Sequence, residues 1–200
     1  MKILALELSS ARGSIACIEA DVVRFQSTFV NDRKHSGLFF ENLQRCLRDA
    51  GHPDRIVVGL GPGSYAGTRI AVAAAIGLRA STGAELVGLC SLCAIETEAT
   101  DYCVIGDARR QTFHFSHVRR GRCIEGPQLC TEEELTERLA SISVPIFATE
   151  LLPAFDRARA AYPSALVLAQ DAPQSGQLVH EPLEPIYLSE PHITQPKIFA

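Results

Sequence analysis

The sequence predicts an α/β protein made of two similar halves, each a mixed sheet with helices on its faces, the second shorter than the first. Three observations carry that expectation. A run of three strands, a helix, a strand and a helix fills the first hundred residues and starts again near Asp101. Both runs mix hairpin connections with helical crossovers, which puts antiparallel and parallel pairs in one sheet. One helix, from about Gly67 to Thr82, is apolar almost all the way round, as expected of an element with neighbours on several sides.

The elements follow in order. Lys2 to Leu8 reads as a strand, "SSARG" as a turn, and Ser14 to Ala20 and Val22 to Val30 as further strands. In "SGLFFENLQRCLRDAG", Phe39, Leu43, Cys46 and Ala50 recur at helical spacing with Phe40 and Leu47 beside them, and Gly51 and Pro53 end the helix. "RIVVGL" is a strand leading into a glycine-rich turn and the apolar helix; "AELVGL" is another strand, and Cys90 to Ala99 a short helix. The second half runs through "DYCVIGDARR", "QTFHFSHV" and "RCIEGPQL" as strands, then "TEEELTERLA" as a helix with Thr131 and Glu134 forming a capping box. "VPIFATE" reads as a strand and "LLPAFDRARAAY" as a helix. The tail from Ala172, with Pro173, Pro182, Pro185, Pro191 and Pro196, reads as extended chain. The expected halves are 1–98 and 99–200, with a cleft between them.

Bulk properties narrow the function classes. The 200 residues carry a formal net charge of −4, which argues against stand-alone nucleic-acid binding, a process that relies on Lys and Arg neutralising phosphates. The apolar start is too short for a signal peptide and no run is long enough to span a membrane, so a cytoplasmic location is expected. Seven cysteines without small-scaffold spacing argue against a disulfide framework.

The stretch "VVGLGPGSYAGTRIAVAAAIGLRAS" raises the sharpest question. Glycines before a helix N-terminus suit a phosphate cradle. However, no Lys-Ser/Thr pair follows, and Gly61, Gly63 and Gly67 miss the dinucleotide spacing by one residue. The other reading is a tight connection through Gly61, Pro62, Gly63, Ser64, Tyr65 and Gly67 that fixes where the helix begins. Ala71, Ala73, Ala74, Ala75 and Gly77 then let another helix approach closely, from within the chain or from a partner. As an interface helix it predicts that Val72→Arg or Ala75→Glu blocks assembly and spares the fold.

At these residues the chain resembles the TsaB (YeaZ) family of bacterial tRNA threonylcarbamoyladenosine biosynthesis proteins. The resemblance runs through "ILALELSSARGSIACIE", "KHSGLFFENLQRCL", "VVGLGPGSYAGTRIAVAAAIGL" and "LCSLCAIE", and resumes at "GDARRQTFHF" and "PIYL". It implies a duplicated actin-like, sugar-kinase-like ATPase (ASKHA) fold. It also implies a non-catalytic scaffold that binds a catalytic homologue, TsaD, together with the ATPase TsaE, for threonylcarbamoyl transfer to the adenosine beside the tRNA anticodon. Alone, such proteins are homodimers through the same surface, with ATP or ADP and tRNA engaged only in the assembly. The implied partner surface comprises His35, Ser36, Phe39, Phe40, Leu43 and Leu47 on one helix. On the other it comprises Thr68, Arg69, Val72, Ala75, Ile76 and Arg79. The chain departs from the family with Glu7 for Asp, Tyr65 for Phe and Ser189 for Arg, and its last helix looks truncated or missing.

Other constellations have two readings each. His35 lacks the second histidine that a metal pair on that helix needs, so His35 and Ser36 read as a helix-entry cap and no metal is expected. Glu7 and Asp107 end the first strand of each half and read as strand-end turn chemistry or as a vestigial nucleotide cleft. With the glycine loop they would make the rival function, a nucleotide-binding phosphotransferase. Cys90 and Cys93 read as buried small side chains or a redox pair. Arg109, Arg110, Arg119, Arg120 and Arg122 alternate with Phe113 and Phe115 in what reads as a basic hairpin, either a solvated edge or a tRNA contact within an assembly.

Overall fold

In the computed structural model, which describes residues 1–31, 36–172, 178–180 and 182–188, two mixed sheets carry the chain. The first is built from β1 (Lys2–Glu7), β2 (Arg12–Glu19), β3 (Val22–Val30), β4 (Arg55–Gly59), β5 (Glu85–Leu89) and a late strand, Val179–His180, in the order late strand, β5, β4, β1, β2, β3. β1 pairs antiparallel with β2 and parallel with β4, so the hairpin and the crossover meet on one strand. That central strand is apolar without alternation because both faces of its sheet are covered. Leu4, Leu6 and Leu8 meet α1 (Gly37–Ala50) and α2 (Tyr65–Thr82) on one side. Ile3 and Ala5 meet a later helix on the other.

The second sheet follows a single 3-10 turn, η1 (Ser91–Ala94). It contains β6 (Asp101–Arg109), β7 (Thr112–Arg119) and β8 (Arg122–Thr131), then, after α3 (Glu132–Ala140), β9 (Ile146–Ala148) and β10 (Ala158–Ala160). Its order is β10, β9, β6, β7, β8. α3 begins as its sequence dictates: Thr131 accepts from the Glu134 N–H at 3.2 Å, and the Glu134 carboxylate accepts from the Thr131 N–H at 2.8 Å. Leu135 and Leu139 anchor α3 over Ile105 and Phe115. The opposite face takes Leu92, Cys93 and Ile95 of the η1 segment against Tyr102, Val104 and Val118.

The two halves share their element order as far as β9, and there they part. Residues 151–162 form no helix but turns and the short strand β10, parallel to β9. Pro153 lacks the N–H that a continuing helix needs. Phe155 is drawn into the core under α3, and the Arg157 guanidinium donates to the carbonyls of Leu139 and Ile142 at 2.7 and 2.6 Å, satisfying the end of that helix. The helix expected there appears later, as α4 (Ala165–Asp171), and packs on β1, β2 and β4 of the first sheet. Its first N–H donates to Ser14 Oγ at 2.9 Å. The late strand, β11 (Val179–His180), pairs with β5. Everything described after Ser164 therefore returns to the first half, whereas the sequence assigned residues 163–171 no element and offered only an extended tail from Ala172. The expected Cys90–Ala99 helix is likewise reduced to η1. Among the described residues no helix is long and apolar enough to cross a membrane.

Candidate functional site: the glycine loop and its helix

The glycine loop is closed on itself and on three neighbours. Ser64 caps α2 by accepting from the Gly67 N–H at 3.2 Å, and its carbonyl accepts from Thr68 N–H and Thr68 Oγ1, both at 3.0 Å. The Ser64 N–H donates to the Ser9 carbonyl at 2.6 Å. The Gly61 N–H donates to Ser91 Oγ at 2.9 Å, and the Ser91 N–H returns a bond to the Gly61 carbonyl at 2.8 Å. The described tail covers the far side: the Ile186 N–H donates to the Leu60 carbonyl at 2.7 Å, and the Tyr187 ring lies 5.3 Å from that of Tyr65. Two glycines are sterically required here. A Cβ at Gly63 would collide with the Ser9 carbonyl, and one at Gly67 with the Leu8 carbonyl. The N–H groups of Gly61, Ser64, Gly67 and Thr68, which a phosphate cradle would aim outward, already have protein partners. Pro62 is buried with the loop, and Ser64 and Tyr65 lie at its rim.

From this turn α2 rises with two unlike faces. Gly67, Thr68, Ala71, Val72 and Ala75 face the sheet and are buried. Tyr65, Arg69, Ala73, Ile76, Gly77 and Ala80 recur at helical spacing on the outside and are exposed. A Cβ at Gly77 would meet nothing within 4 Å. α1 divides the same way, with Phe39, Leu43 and Cys46 buried and Leu38 and Phe40 exposed. Of the residues expected at a partner surface, Phe39, Leu43, Thr68, Val72 and Ala75 are thus occupied by the chain's own fold. Leu47 is half-buried, and Phe40, Arg69, Ile76 and Arg79 point out. Apolar surface all round a helix does not say which side its own sheet takes, and here the sheet takes Val72 and Ala75. His35 lies outside the described residues, as does Ser189. Ser36 precedes α1 without capping it by its side chain, although its carbonyl accepts from the Phe40 N–H at 3.2 Å.

Glu7 and Asp107 have unlike surroundings. Glu7 is fully buried, its Oε1 accepting from the Ser9 N–H at 2.6 Å while Oε2 finds no hydrogen-bond partner. Oε2 rests against the bare Cα of Gly59, where any Cβ would collide with it. Burial raises the Glu7 pKa, and Ser9 and Ser91 beside it pull the other way. Asp107 is exposed and caps its own turn, Oδ1 accepting from the Arg109 N–H at 2.7 Å. The buried titratable group of the second half is instead His114, which the sequence did not single out. It lies against Gly106, with Nδ1 unpartnered, and burial lowers its pKa to about 4, opposed by the nearby Glu150 carboxylate. The signal available was a histidine alternating with Phe113 and Phe115 opposite a glycine.

The five arginines do not form one patch. Arg109 and Arg110 sit at one end of β7, whereas Arg119, Arg120 and Arg122 sit at the other, roughly 23 Å away at strand rise. Arg119 is held by Asp101 at 2.7 Å. Phe113 and Phe115 belong to the core under α3, so the aromatic positions are not available for base stacking. All seven cysteines are free thiols. Among the described residues no group of three or more His, Cys, Asp or Glu side chains is placed to hold a metal. A cavity of about 370 Å³ opens elsewhere, beside β9 and β10 with Asp156, Arg157 and Arg159 on its wall.

Comparisons with known proteins agree with this architecture. Residues 29–136 match the family model described as TsaD, tRNA N6-adenosine threonylcarbamoyltransferase. An uncharacterized protein of Mycobacterium bovis is 30% identical over 181 residues, covering 85% of this chain and 82% of that one. One of Mycobacterium leprae is 40% identical over 75 residues, a match spanning 37% of this chain and 21% of that protein. Two solved structures from Pseudomonas aeruginosa share the fold. One is described as an uncharacterized protein similar to peptidase YeaZ, at TM-score 0.76, 22% identity, and coverage of 94% and 99%. The other is YeaZ itself, at TM-score 0.73 with the same identity and coverage. The α/β fold of two mixed sheets is thus shared with both of these structures, and with more than half its length matched the chain belongs to the family described as TsaD.

Proposed function

We propose that this chain is a non-catalytic subunit of the machinery that forms threonylcarbamoyladenosine in tRNA. It docks a TsaD-like catalytic homologue through the outer face of α2 and the adjoining outward residues of α1. Family membership supports the role in tRNA modification. The observation that carries the docking mode is the α2 outer face, where Ala73, Ile76 and Gly77 present apolar, nearly toothless surface beside Tyr65 and Arg69. Small side chains there let a partner helix approach with its backbone. The closed hydrogen bonding of the glycine loop fits the same role, because the loop sets the height and angle of α2 and offers few donors to an anion. In the absence of the homologue the same face joins two copies as a homodimer. A TsaE-like ATPase completes the assembly, and ATP or ADP and tRNA are engaged only there.

Ile76→Arg tests this. It places a charge on the outer face without touching the sheet side, so size-exclusion chromatography with the catalytic homologue should show the complex lost and the circular dichroism unchanged. An intact complex refutes the surface. Calorimetry of the isolated chain with ATP and Mg²⁺ separates the scaffold from a phosphotransferase using Glu7, Asp107 and the loop. Micromolar binding with turnover would establish the enzyme instead.

A further inference from the structure

Three thiols gather where the sheets meet, and the docking role leaves them unused. Cys90 leads into η1 and Cys93 lies within it, the Cys93 N–H donating to the Cys90 carbonyl at 3.0 Å. Cys123 comes in from β8, which packs on η1. A closed turn brings its first and fourth Cα atoms within about 7 Å, and a disulfide spans about 4.4–6.8 Å. Cys90 is partly open to solvent, while Cys93 is buried behind it.

The two sulfurs are chemically unequal. The Cys93 thiol, with the backbone N–H groups of Leu92 and Cys93, stabilises a Cys90 thiolate and lowers its pKa. The neighbouring Cys90 sulfur and burial push the Cys93 thiol up and keep it protonated. A partly exposed thiol whose ionised form is favoured, backed by a buried thiol, has the polarity of an attacking and a resolving cysteine.

We propose that Cys90 and Cys93 are a redox-active dithiol, oxidised by a hydroperoxide to a disulfide that loosens the glycine loop through Ser91. The Cys90 thiolate attacks the outer peroxide oxygen, the O–O bond breaks, and the alkoxide leaves as alcohol after taking up a proton. The Cys93 sulfur then attacks the resulting sulfenic acid. The S–S bond forms, the S–O bond breaks, and the hydroxide leaves with the Cys93 proton as water. Two electrons pass from the two thiols to the peroxide. Ser91 stands between the cysteines and makes both hydrogen bonds that tie η1 to Gly61. Closing the disulfide resets the turn that aims Ser91, so the start of α2 loses its brace. This regulation of α2 rests on the docking role proposed above; the dithiol chemistry does not. Cys17 and Cys46 lie in one core cluster with each only 1% exposed, so they should stay reduced and serve as an internal control.

The test treats the full chain with hydrogen peroxide, blocks remaining thiols with N-ethylmaleimide and maps peptides by mass spectrometry. A Cys90–Cys93 cross-link lacking two hydrogens and reversed by dithiothreitol is expected. Cys93→Ser should leave a Cys90 sulfenic acid that dimedone traps, and Cys90→Ser should abolish both products. Amide exchange across residues 60–68 should rise by at least about threefold on oxidation. Oxidation confined to other cysteines overturns the proposal, and so does unchanged exchange in that segment. If exchange rises while the reduced chain fails to bind the catalytic homologue, the docking role fails and the dithiol switch stands.

Discussion

The segment from β4 into α2 and the segment from β9 into β10 hold the same place in the two halves and fold oppositely. After Gly59 the chain turns within five residues into an eighteen-residue helix. After Ala148 it wanders through turns and lies down as a three-residue strand beside the one it left. The difference is in what the turn can approach. Gly63 and Gly67 let the first turn press on the Ser9 and Leu8 carbonyls, and Ser64 and Ser91 supply its capping oxygens. Residues 149–157 contain no glycine, and Phe155 is drawn into the core instead. Among the described residues, therefore, only the first half follows this strand with a long helix whose outer face is apolar and exposed. Duplication supplied two frames, and the glycine loop gave one of them a long helix with an exposed apolar face.

Substitutions that break this contrast have the largest expected effects. Gly63→Val drives a β-branched side chain into the Ser9 backbone at a positive φ and should cost about 3 kcal/mol or more, read as the urea midpoint. A stability loss under about 1 kcal/mol would show that the loop can relax and is not the device claimed. Ala75→Glu and Val72→Arg, which the sequence put forward as substitutions sparing the fold, instead bury a charge against the first sheet. Each should destabilise by about 3–5 kcal/mol. The neighbouring Ile76→Arg should change stability by no more than about 0.5 kcal/mol. Equal effects at positions 75 and 76 would mean that α2 does not have the two faces described.

Much of this was legible in the sequence, and the failures have physical causes. Strong periodic signals located β1 to β8 and α1 to within a few residues, and the Thr131 capping box is formed as its spacing requires. α4 escaped notice because it is only seven residues long and Leu166 and Val167 are as apolar as its buried Ala165, Leu168 and Ala169, although Ser164 stands at its start. Residues 151–162 do carry apparent helical periodicity, which the burial of Phe155 and the capping work of Arg157 override. The tail that seals the glycine loop was read as extended chain, and nothing local to "PIYL" says what it covers. Two arginine groups close in sequence were read as one patch because a hairpin's two ends look adjacent on paper. The glycine loop, the part of the candidate site with the strictest geometry, was the most legible.

Acidity sharpens the comparison next. Each half buries one titratable group against a glycine, an acid in the first and a base in the second. His114 titrates near 4 when folded against 6.5 ordinarily, so the unfolded chain binds the extra proton between those values. Stability from this site is full above pH 6.5 and drains away as pH falls toward 4, by about 3 kcal/mol in total. Glu7 works in reverse. Its folded pKa lies above the ordinary 4.5, so the folded state holds the proton longer and stability falls as pH rises through that raised value. Urea titrations across pH 4 to 8 should show His114→Gln flattening the acid limb. Glu7→Gln should stabilise the protein near neutrality with no gain below the ordinary carboxylate pKa. Parallel pH profiles for the two variants would contradict the opposed burial.

The smallest expected effect belongs to the clasp that, among the described residues, only the first half has. The described tail is tied to the loop by the Ile186 N–H, by buried Leu183 and by the Tyr187 ring on Tyr65. Tyr187 itself is nearly half exposed, so its removal forfeits a ring contact and little core. Tyr187→Ala should cost about 1 kcal/mol. The loss should be local: amide exchange at Leu60 and Gly61 should quicken while that at β1 and β6 holds, because the Ser9 and Ser91 bonds still brace the loop. Since Tyr65 also stands at the rim of the outer face of α2, the same change should weaken partner binding far less than Ile76→Arg does. Loss of binding comparable to Ile76→Arg would place the tail itself in the interface and move the docking surface from the helix toward the loop.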